Sequence, residues 1–511
     1  MCGIIATFST QGVPDSQYLQ ELALRCLAHR GPDGVGTLSL GHAGSAHTRL
    51  AIVDLVGGQQ PMRGEHDRSL LVCNGEIYNH GSLRERLEAK HVFRSKSDSE
   101  VVLHLYEDHG PECAAKLDGM FAFFVSDGHR FVAARDPLGI KPLYYGPGRA
   151  GGLWLASEFK ALLEPCETFA ALPPGSVLTE RGEVTRWFRP GWEERIGTQQ
   201  TFTPSDLLGR LRRSVEKRLM SDVPMGAFLS GGLDSSIVTA LARPHLRSLK
   251  TFAVGLKGTP DLEAARIASH ALSTKHHERT YTVHDVARHL PKIIHHLESY
   301  DAALIRSAVP CYFLAELTAE HVKVVLTGEG ADELFAGYGY FKNIDDPAAL
   351  HAECAGLLLG LHAMNLQRVD RMTMAHGVEA RVPFLDVEFV DWAMSIAPEL
   401  KLVRPGRPEK QMLREAARDL LPAEIAHRPK LEFSQGTGAG DVLSSYAEAQ
   451  VSDGDLTSAG RRFPLDPPKS KEELLYRRIF DEVLPGEAAR RSVRRWRGKP
   501  NRATTAEMEA P

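Results

Sequence analysis

The sequence predicts a two-domain chain, with antiparallel β-sheet in the first domain and a parallel sheet, then a mostly helical part, in the second. Up to about residue 190, short apolar segments follow one another across tight turns, which is typical of antiparallel pairing. From about residue 206, segments typical of strands and helices alternate, a pattern that predicts parallel strands with helical crossovers. From about residue 345 the periodicity is mostly that of helices.

Composition narrows the class of protein. The chain has 511 residues, enough for more than one core, and its 43% hydrophobic and 25% charged residues are typical of a globular protein. A net charge of −4 gives no electrostatic basis for binding nucleic acid or an anionic membrane. No apolar run approaches the roughly 20 residues that span a bilayer. Seven scattered cysteines without CxxC spacing predict neither disulfides nor a zinc site, and we therefore expect a protein of the reducing cytoplasm. The 22 histidines form no HExxH-like set of metal ligands.

The elements of the first domain, residues 2–190, can be placed in order. Strands are predicted in CGIIATFS, AHTRLAIVDL, SLLVCNGEIY, MFAFFVSD and HRFVAARD. Helices are predicted in YLQELALRCLAHR, which has leucines on one face, and in SEVVLHLYEDHG. The polar segment 191–205, which contains proline and glycine, is predicted to be a linker.

The second domain is predicted over residues 206–485. LLGRLRRSVEKRLM forms the first helix, followed by the strand MGAFLS, the helix SSIVTALA, the strand LKTFAVGL, the helix DLEAARIASHAL and the strand VKVVLTG. Residues 486–511 lack periodicity, which predicts a disordered tail.

A first candidate site lies at the start of the chain, in MCGII. If Met1 is removed, the thiol and the free α-amine of Cys2 belong to one residue. An α-amine with a pKa near 7.7–8 can act as base toward a thiol with a pKa near 8.5. No basic and apolar leader of the lipoprotein type precedes the cysteine. The alternative is that Cys2 is a small buried hydrophobic residue.

Three further segments favour a catalytic Cys2. RLAIVD places Arg49 where a guanidinium can hold a carboxylate. NGEIYN supplies the Asn74 amide and the Gly75 backbone N–H, a donor pair suited to an oxyanion hole. Glu76, and Asp98 in SDSE, can bind an ammonium group. Together they predict a pocket for an amino acid whose side-chain amide reaches Cys2.

These segments, with HRGPD and GMFAFF, resemble the glutaminase domain of class II glutamine amidotransferases. The resemblance implies an N-terminal-nucleophile fold, an α+β sandwich of antiparallel sheets between helices. It implies that Cys2 attacks the glutamine amide, releasing ammonia and a thioester that water hydrolyses, while Asn74 and Gly75 stabilise the oxyanion. The residues implied to hold glutamine are Arg49, Ile52, Val53, Asn74, Gly75, Glu76 and Asp98.

A second candidate site lies in FLSGGLDSS, between a predicted strand and a predicted helix. Gly231 and Gly232 let backbone N–H groups approach a phosphate at a helix N-terminus, and Ser230, Ser235 and Ser236 add hydroxyl donors. Asp234 beside phosphates implies a bridging Mg²⁺. The pattern is neither GxxxxGK[ST] nor GxGxxG, which excludes P-loop and dinucleotide sites. It resembles the loop of ATP pyrophosphatases, which form acyl-adenylates.

Later segments complete this second site. LTGEGADELFAGY places Gly328, Glu329 and Asp332 after a predicted strand, where open α/β sheets bind ligands. GVEARVPFLD and HRPKLEFS add Arg381 and Lys430, cations suited to departing pyrophosphate.

The order and spacing of all these segments, from Cys2 to about residue 485, resemble the glutamine-dependent asparagine synthetases of the shorter bacterial type. The resemblance implies transfer of ammonia through an apolar passage to a second site, where ATP adenylates the aspartate β-carboxylate and amidation yields asparagine, AMP and pyrophosphate. Asp234 and Asp332 are implied to bind Mg²⁺, Glu329 to assist formation and aminolysis of the adenylate, and Lys430 to contact phosphate. Arg306 and Arg381 are assigned to the acceptor. The implied ATP-binding residues are Leu229, Ser230, Gly231, Gly232, Asp234, Ser235, Ser236, Val254, Thr327 and Gly328.

Partners are expected to be the small molecules glutamine, ATP and aspartate, in a chain that can form a homodimer. One departure leaves the acceptor open: Ala303 and Leu304 precede Arg306 where the family has two threonines. Aspartate is favoured, with another carboxylic acid as the alternative. A β-lactam synthetase-like cyclase is disfavoured, because such enzymes have a defunct glutaminase half and this chain has Cys2, Asn74 and Asp98. A non-catalytic relative is disfavoured by the two complete sites.

Overall fold

The computed structural model describes residues 2–464 and 466–495. The first domain contains two six-stranded sheets, and all strand pairs in both are antiparallel. Their orders are β10-β8-β9-β1-β3-β2 and β12-β11-β7-β6-β5-β4. The strands are β1 Gly3–Phe8, β2 Gly34–Leu40, β3 Ala43–Arg49, β4 Met62–Arg63, β5 Leu70–Ile77, β6 Gly119–Ser126, β7 Phe131–Arg135, β8 Tyr144–Pro147, β9 Leu153–Ala156, β10 Ala170–Ala171, β11 Ser176–Thr179 and β12 Val184–Arg186.

Side chains alternate between the two faces of each strand, and both faces are apolar. The domain therefore has four layers, with two sheets packed face to face and helices on their outer faces. Ile4 on β1 and Val72 on β5 belong to one apolar cluster, which fills the space between the sheets. The alternate residues point outward, so that Ile5 packs with helix α1 (Ser16–Leu27) and Cys73 packs with α2 (His80–Leu87) and α3 (Glu100–His109). The predicted sandwich of antiparallel sheets between helices is confirmed. Helix α2 was not predicted, because only two leucines mark its buried face.

The second domain is built on a parallel five-stranded sheet of order β15-β14-β13-β16-β17, as the alternating pattern predicts. The strands are β13 Met225–Phe228, β14 Lys250–Gly255, β15 Lys275–Thr280, β16 Val324–Leu326 and β17 Glu379–Arg381. The chain adds β14 and β15 on one side of β13, and then β16 and β17 on the other side. The strand order therefore reverses between β13 and β16, and open sheets bind ligands outside the carboxyl ends of strands at such a point.

Helices surround this sheet and form the C-terminal part. They are α4 Pro204–Lys217, α5 Leu233–Ala242, α6 Pro260–Leu272, α7 Val283–Leu297, α8 Ala302–Ala319, α9 Ala331–Leu334, α10 Pro347–Gly360, α11 Asn365–Met374, α12 Val387–Ser395, α13 Gln411–Ala417, α14 Ala423–Ala426, α15 Phe433–Gly436, α16 Ala439–Gln450, α17 Asp453–Arg462, α18 Lys471–Val483 and α19 Glu487–Ser492. Among the described helices, α8 alone is long and apolar enough to cross a membrane, but 67% of it is buried inside the protein. It packs against α7 and α11, as a core helix does.

Two segments are more ordered than their composition predicts. In the linker 191–205, Trp192 is buried and its indole N–H donates to Asp391 at 3.0 Å. Within the predicted tail 486–511, residues 487–492 form α19 and Arg495 pairs with Asp466 and Glu473. Residues 496–511 lie outside the described part of the chain.

Candidate active sites

Cys2 directly precedes β1 and lies at the junction of the two domains. It is buried, its backbone nitrogen donates to Asn74 Oδ1 at 3.0 Å, and its carbonyl accepts from Arg30 Nε at 3.0 Å. Burial raises the pKa of the Cys2 thiol above its usual value, although a backbone hydrogen bond with Leu50 and the nearby charge of Arg49 oppose this effect. A thiol with a raised pKa needs a base before it can act as a nucleophile.

The predicted oxyanion-hole residues lie on β5, beside Cys2. The Nδ2 atom of Asn74 is buried and has no hydrogen-bond partner, so the amide retains two donors while its oxygen holds the backbone of Cys2. Gly75 has φ +146°, and a Cβ atom there would lie 1.9 Å from the Met120 carbonyl oxygen on β6. Only glycine fits this close approach of two strands.

Arg49 ends β3 and is fixed by its own loop. Its guanidinium donates to the carbonyl oxygens of Leu55 at 3.0 Å and Asp54 at 2.7 Å. Ile52 is buried and Val53 is half-buried in the following turn. The predicted glutamine-binding segment thus presents a held cation beside an apolar wall.

Two carboxylates face the same region. Asp98 accepts from the Ile77 amide at 2.7 Å, and burial raises its pKa. Glu76 has a pKa well above its usual value because of burial and the nearby charges of Glu379 and Asp98, and its Oε2 atom has no hydrogen-bond partner. Carboxylates whose charge is destabilised in this way gain from an added ammonium group, which fits the predicted role of holding a substrate amine.

The second site begins at the carboxyl end of β13. Gly231 has φ +68°, and a Cβ atom there would lie 2.2 Å from the backbone of Ala264. Gly232 caps α5 and its N–H donates to Ser230 Oγ at 3.2 Å, while the Ser230 and Ser235 hydroxyls lie 3.3 Å apart. The buried Ser236 hydroxyl has no partner. The loop therefore presents hydroxyl groups at the N-terminus of a helix, as an anion site requires.

The loop after β16 abuts the loop after β13. A Cβ atom at Gly328 would lie 2.9 Å from the Cβ atom of Asp234, so glycine allows the two loops to touch. The Thr327 amide donates to the Arg381 carbonyl at 3.0 Å, and the Leu229 amide donates to the Phe252 carbonyl at 2.9 Å. Val254 lies buried on β14, the neighbouring strand.

A lysine that the sequence analysis missed joins the two predicted metal ligands. Lys410 Nζ lies 2.5 Å from Asp234 Oδ2 and 2.7 Å from Asp332 Oδ1. Lys430 Nζ donates to Asp332 Oδ2 at 2.8 Å, as expected for a cation at this site. The two lysines outweigh burial and hold the pKa of Asp332 well below its usual range, and Asp332 in turn raises the pKa of Lys430 against the effect of burial.

The donor set here fits a magnesium ion. Asp234 Oδ1 is buried and has no hydrogen-bond partner, and it belongs to a carboxylate that faces Asp332 across Lys410. Carboxylate oxygens are the ligands that Mg²⁺ prefers, with phosphate oxygens completing its shell.

Glu329 and the predicted acceptor residues occupy different surroundings. Glu329 pairs with Arg368 on α11 at 2.5 Å. The guanidinium of Arg306 forms a two-pronged ion pair with Glu472 on α18, with Nε donating at 2.8 Å. Acceptor binding by Arg306 therefore stays a prediction, and it requires that this pair share or release the guanidinium.

The structure corrects the prediction for Arg381. Its side chain is fully buried, Nε donates to Glu379 at 2.6 Å, and a terminal nitrogen lies 3.5 Å from Glu76 in the predicted glutamine-binding region. Another nitrogen donates to the Arg218 carbonyl at 2.7 Å. The guanidinium thus faces the first site, and its contacts support a structural role between the domains rather than binding of acceptor or pyrophosphate.

Besides the contacts of Arg381, a buried ionic network next to Cys2 joins the two domains. Arg30 donates to Glu158 at 2.7 Å and, with both terminal nitrogens, to Asp370 on α11 at 2.9 and 3.2 Å. The adjacent Arg371 pairs with Glu298 at 2.9 Å. Helix α11 is therefore linked to both sites, to Cys2 through Asp370 and Arg30, and to Glu329 through Arg368. No local motif marks these residues, so sequence reasoning did not find them.

The fold defines a class of protein: a glutamine amidotransferase domain, with antiparallel sheets between helices, joined to a parallel-sheet domain that carries the predicted phosphate-binding loop. A family model described as a glutamine amidotransferase domain matches residues 1–178, and one described as asparagine synthase matches residues 206–347 and 342–507.

Curated relatives agree with these models over nearly the whole chain. Asparagine synthetase [glutamine-hydrolyzing] 3 of Arabidopsis thaliana is 43% identical over 96% of this chain and 89% of its own length. The asparagine synthetase [glutamine-hydrolyzing] of Asparagus officinalis is 42% identical over 96% and 87%. The chain belongs to the family of glutamine-hydrolysing asparagine synthetases.

Proposed function

We propose that this protein makes asparagine from aspartate, with ATP as the activating substrate and glutamine as the nitrogen donor. The observation that carries the proposal is the presence of two built sites in one chain. At the first, Asn74 holds the backbone of Cys2 with an unpartnered amide donor beside it. At the second, Lys410 bridges Asp234, in the serine- and glycine-rich segment, to Asp332 in the neighbouring loop.

In the glutamine half, the α-amine of a processed Cys2 takes the thiol proton and the thiolate attacks the amide carbon. The tetrahedral oxyanion accepts hydrogen bonds from Asn74 Nδ2 and the Gly75 N–H, each of which is worth about 10²–10³ in rate at comparable sites. The nitrogen receives a proton and leaves as ammonia, and water hydrolyses the thioester to glutamate and free Cys2. Arg49 holds the α-carboxylate of glutamine, and Glu76 and Asp98 hold its amine.

In the synthetase half, a β-carboxylate oxygen of aspartate attacks the α-phosphorus of ATP and pyrophosphate leaves. Ammonia then attacks the acyl carbon and AMP leaves, which gives asparagine. Lys410 and Lys430 neutralise charge that develops on the departing pyrophosphate, and Glu329 accepts a proton from the attacking ammonia. Asp234 and Asp332 would hold Mg²⁺, which when bound supplies further neutralisation of phosphate charge.

The apolar packing at the domain junction would favour transfer of neutral ammonia between the sites. A single apolar cluster is continuous across the domain junction, from Ile52 and Met120 in the first domain to Val378 and Leu385 in the second. An apolar route suits ammonia, because ammonium would have to be desolvated to enter it and has no lone pair for the second reaction.

The acceptor is tested by ATP–pyrophosphate exchange across a panel of carboxylic acids. Aspartate is expected to support exchange, and exchange with another acid but not with aspartate would refute the assignment. One structural observation favours an acceptor other than aspartate: Ala303 and Leu304 offer no hydroxyl at the start of α8, where Arg306 is held by Glu472.

The assignment of glutamine hydrolysis to the first site and of amidation to the second is tested with Cys2→Ala. This variant should lose glutamine-dependent synthesis and retain synthesis with ammonium chloride, because the second site does not contain Cys2. Equal loss of both activities would contradict the proposal. Mass spectrometry of the active protein should show that Met1 has been removed. A homodimer and a cytoplasmic location stay predictions.

A further inference from the structure

Four side chains on the outer face of the first domain converge outside the two sites described above. Glu65 lies in a short helical turn, His91 in the loop between α2 and α3, and His104 and Glu107 one helical turn apart on α3. One ligand atom from each lies within 4.8 Å of those of the other three. We propose that these four residues form a binding site for a divalent transition-metal cation of the Zn²⁺ class.

The distances between ligand atoms match those of a tetrahedral site. Bonds of about 2.0–2.1 Å to zinc place neighbouring ligand atoms roughly 3.3 Å apart. Here Glu65 Oε2 lies 3.1 Å from His91 Nδ1, His91 Nδ1 lies 3.5 Å from Glu107 Oε2, and Glu107 Oε2 lies 2.9 Å from His104 Nδ1. Small rotamer adjustments would bring the four atoms around one cation.

Each carboxylate is already oriented through its second oxygen. Glu65 Oε1 accepts from the Val92 amide at 2.7 Å, and Glu107 Oε1 accepts from the Ser69 hydroxyl at 2.6 Å. The remaining Oε2 atoms therefore face the imidazoles as single ligands. Such outer contacts fix ligand orientation at metal sites and are typically worth 10–100-fold in affinity.

The histidines also have carboxylates on their far sides. His91 Nε2 lies 3.4 Å from Asp108 and His104 Nε2 lies 3.8 Å from Glu100, and neither nitrogen makes a hydrogen bond. A metal on Nδ1 leaves the proton on Nε2, where these carboxylates can accept it, an arrangement that metal-bound histidines commonly show. The two rings stack with centroids 4.6 Å apart, and both Nδ1 atoms lie within 3.5 Å of Glu107 Oε2.

The ligand set and its exposure select the class of cation. Two imidazoles with two carboxylates suit Zn²⁺ and its neighbours, whereas Mg²⁺ and Ca²⁺ prefer oxygen ligands alone. His104 is buried, but Glu65 and Glu107 are 27% and 21% exposed, so a cation can enter from solvent. The cation would tie three segments together, including α3, which begins two residues after the predicted glutamine ligand Asp98.

The test is zinc binding by the full chain, in a Cys2→Ala background because a free catalytic thiol would bind zinc itself. After chelator treatment and desalting, titration calorimetry with ZnCl₂ should show one site per chain. Glu65→Gln and His91→Gln should each weaken binding at least about tenfold. The matched control is His42→Gln/His129→Gln, which removes another contacting histidine pair of the same domain and should leave binding unchanged.

Cobalt binding supplies a readout that does not depend on catalysis. Co²⁺ should give the intense visible absorption of a four-coordinate ion in the parent, and not in the Glu65 or His91 variants. Both positions are partly exposed, and melting temperatures without metal should show that the variants fold. No zinc binding in the parent, or equal binding in the parent and both variants, would overturn the site.

Discussion

Gly75→Ala tests the geometry of the predicted oxyanion hole. The added Cβ atom would lie 1.9 Å from the Met120 carbonyl oxygen, whereas real Cβ atoms essentially never come closer than 3.0 Å, so β5 and β6 must separate by about 1 Å at this point. The φ of +146° adds a conformational cost of about 1–3 kcal/mol for alanine. Both effects displace the Gly75 N–H from the position where it donates to the oxyanion.

The expected result is a selective loss in the first domain. Losing one oxyanion donor costs about 10²–10³ in kcat, equivalent to about 2.7–4 kcal/mol of transition-state stabilisation. We expect a loss of that size in glutamine-dependent asparagine formation, while synthesis from ammonium chloride stays close to that of the parent. Both rates can be measured by chromatography of asparagine under saturating ATP and aspartate.

A matched control comes from Gly81 on α2, in the same domain. No atom lies within 4 Å of a Cβ added there, and its φ is not left-handed, so Gly81→Ala should leave both activities unchanged. If Gly75→Ala retained glutamine-dependent activity within about tenfold of the parent, the assignment of its N–H to the oxyanion hole would be refuted.

Three further predictions concern the second domain. Asp332→Asn should abolish ATP–pyrophosphate exchange and spare glutamine hydrolysis, because it removes the carboxylate that pairs with Lys430; exchange at the parental rate would contradict the site. Arg371→Met should lower the free energy of unfolding in urea by about 3–5 kcal/mol, since it removes the nearer of the two cations that face the buried Glu298 and leaves Lys160 at 3.9 Å; a loss below about 1 kcal/mol would show that the pair is dispensable. Burial, with the charge of Asp332, raises the pKa of Glu333 to about 7 from an ordinary 4.5. Between pH 4.5 and pH 7 the folded state therefore binds more protons than the unfolded state, and the free energy of unfolding falls as the pH rises. Glu333→Gln should therefore flatten the pH dependence of unfolding between pH 4.5 and 7, and an unchanged slope would assign it to other groups.

Some of the structure was predictable because its causes are local. The alternation of Ile4 and Ile5, or of Val72 and Cys73, shows that each strand has two apolar faces, which is why a layered sandwich follows. In the same way, the phosphate-binding loop depends on contiguous glycines and serines between a strand and a helix. Elements with weak periodicity were missed, as α2 shows.

What the sequence by itself determined is the identity of the two chemistries, since NGEIYN and SGGLDSS each carry their donors within a few adjacent residues. Only the tertiary structure decided which charges meet across the chain. Lys410 reaches Asp234 from 176 positions away, and Arg30 reaches Asp370 from 340. Arg381 turned out to face Glu76. A lone lysine or arginine has no local signature, because its partner is set by how distant helices and strands pack rather than by its neighbours in sequence.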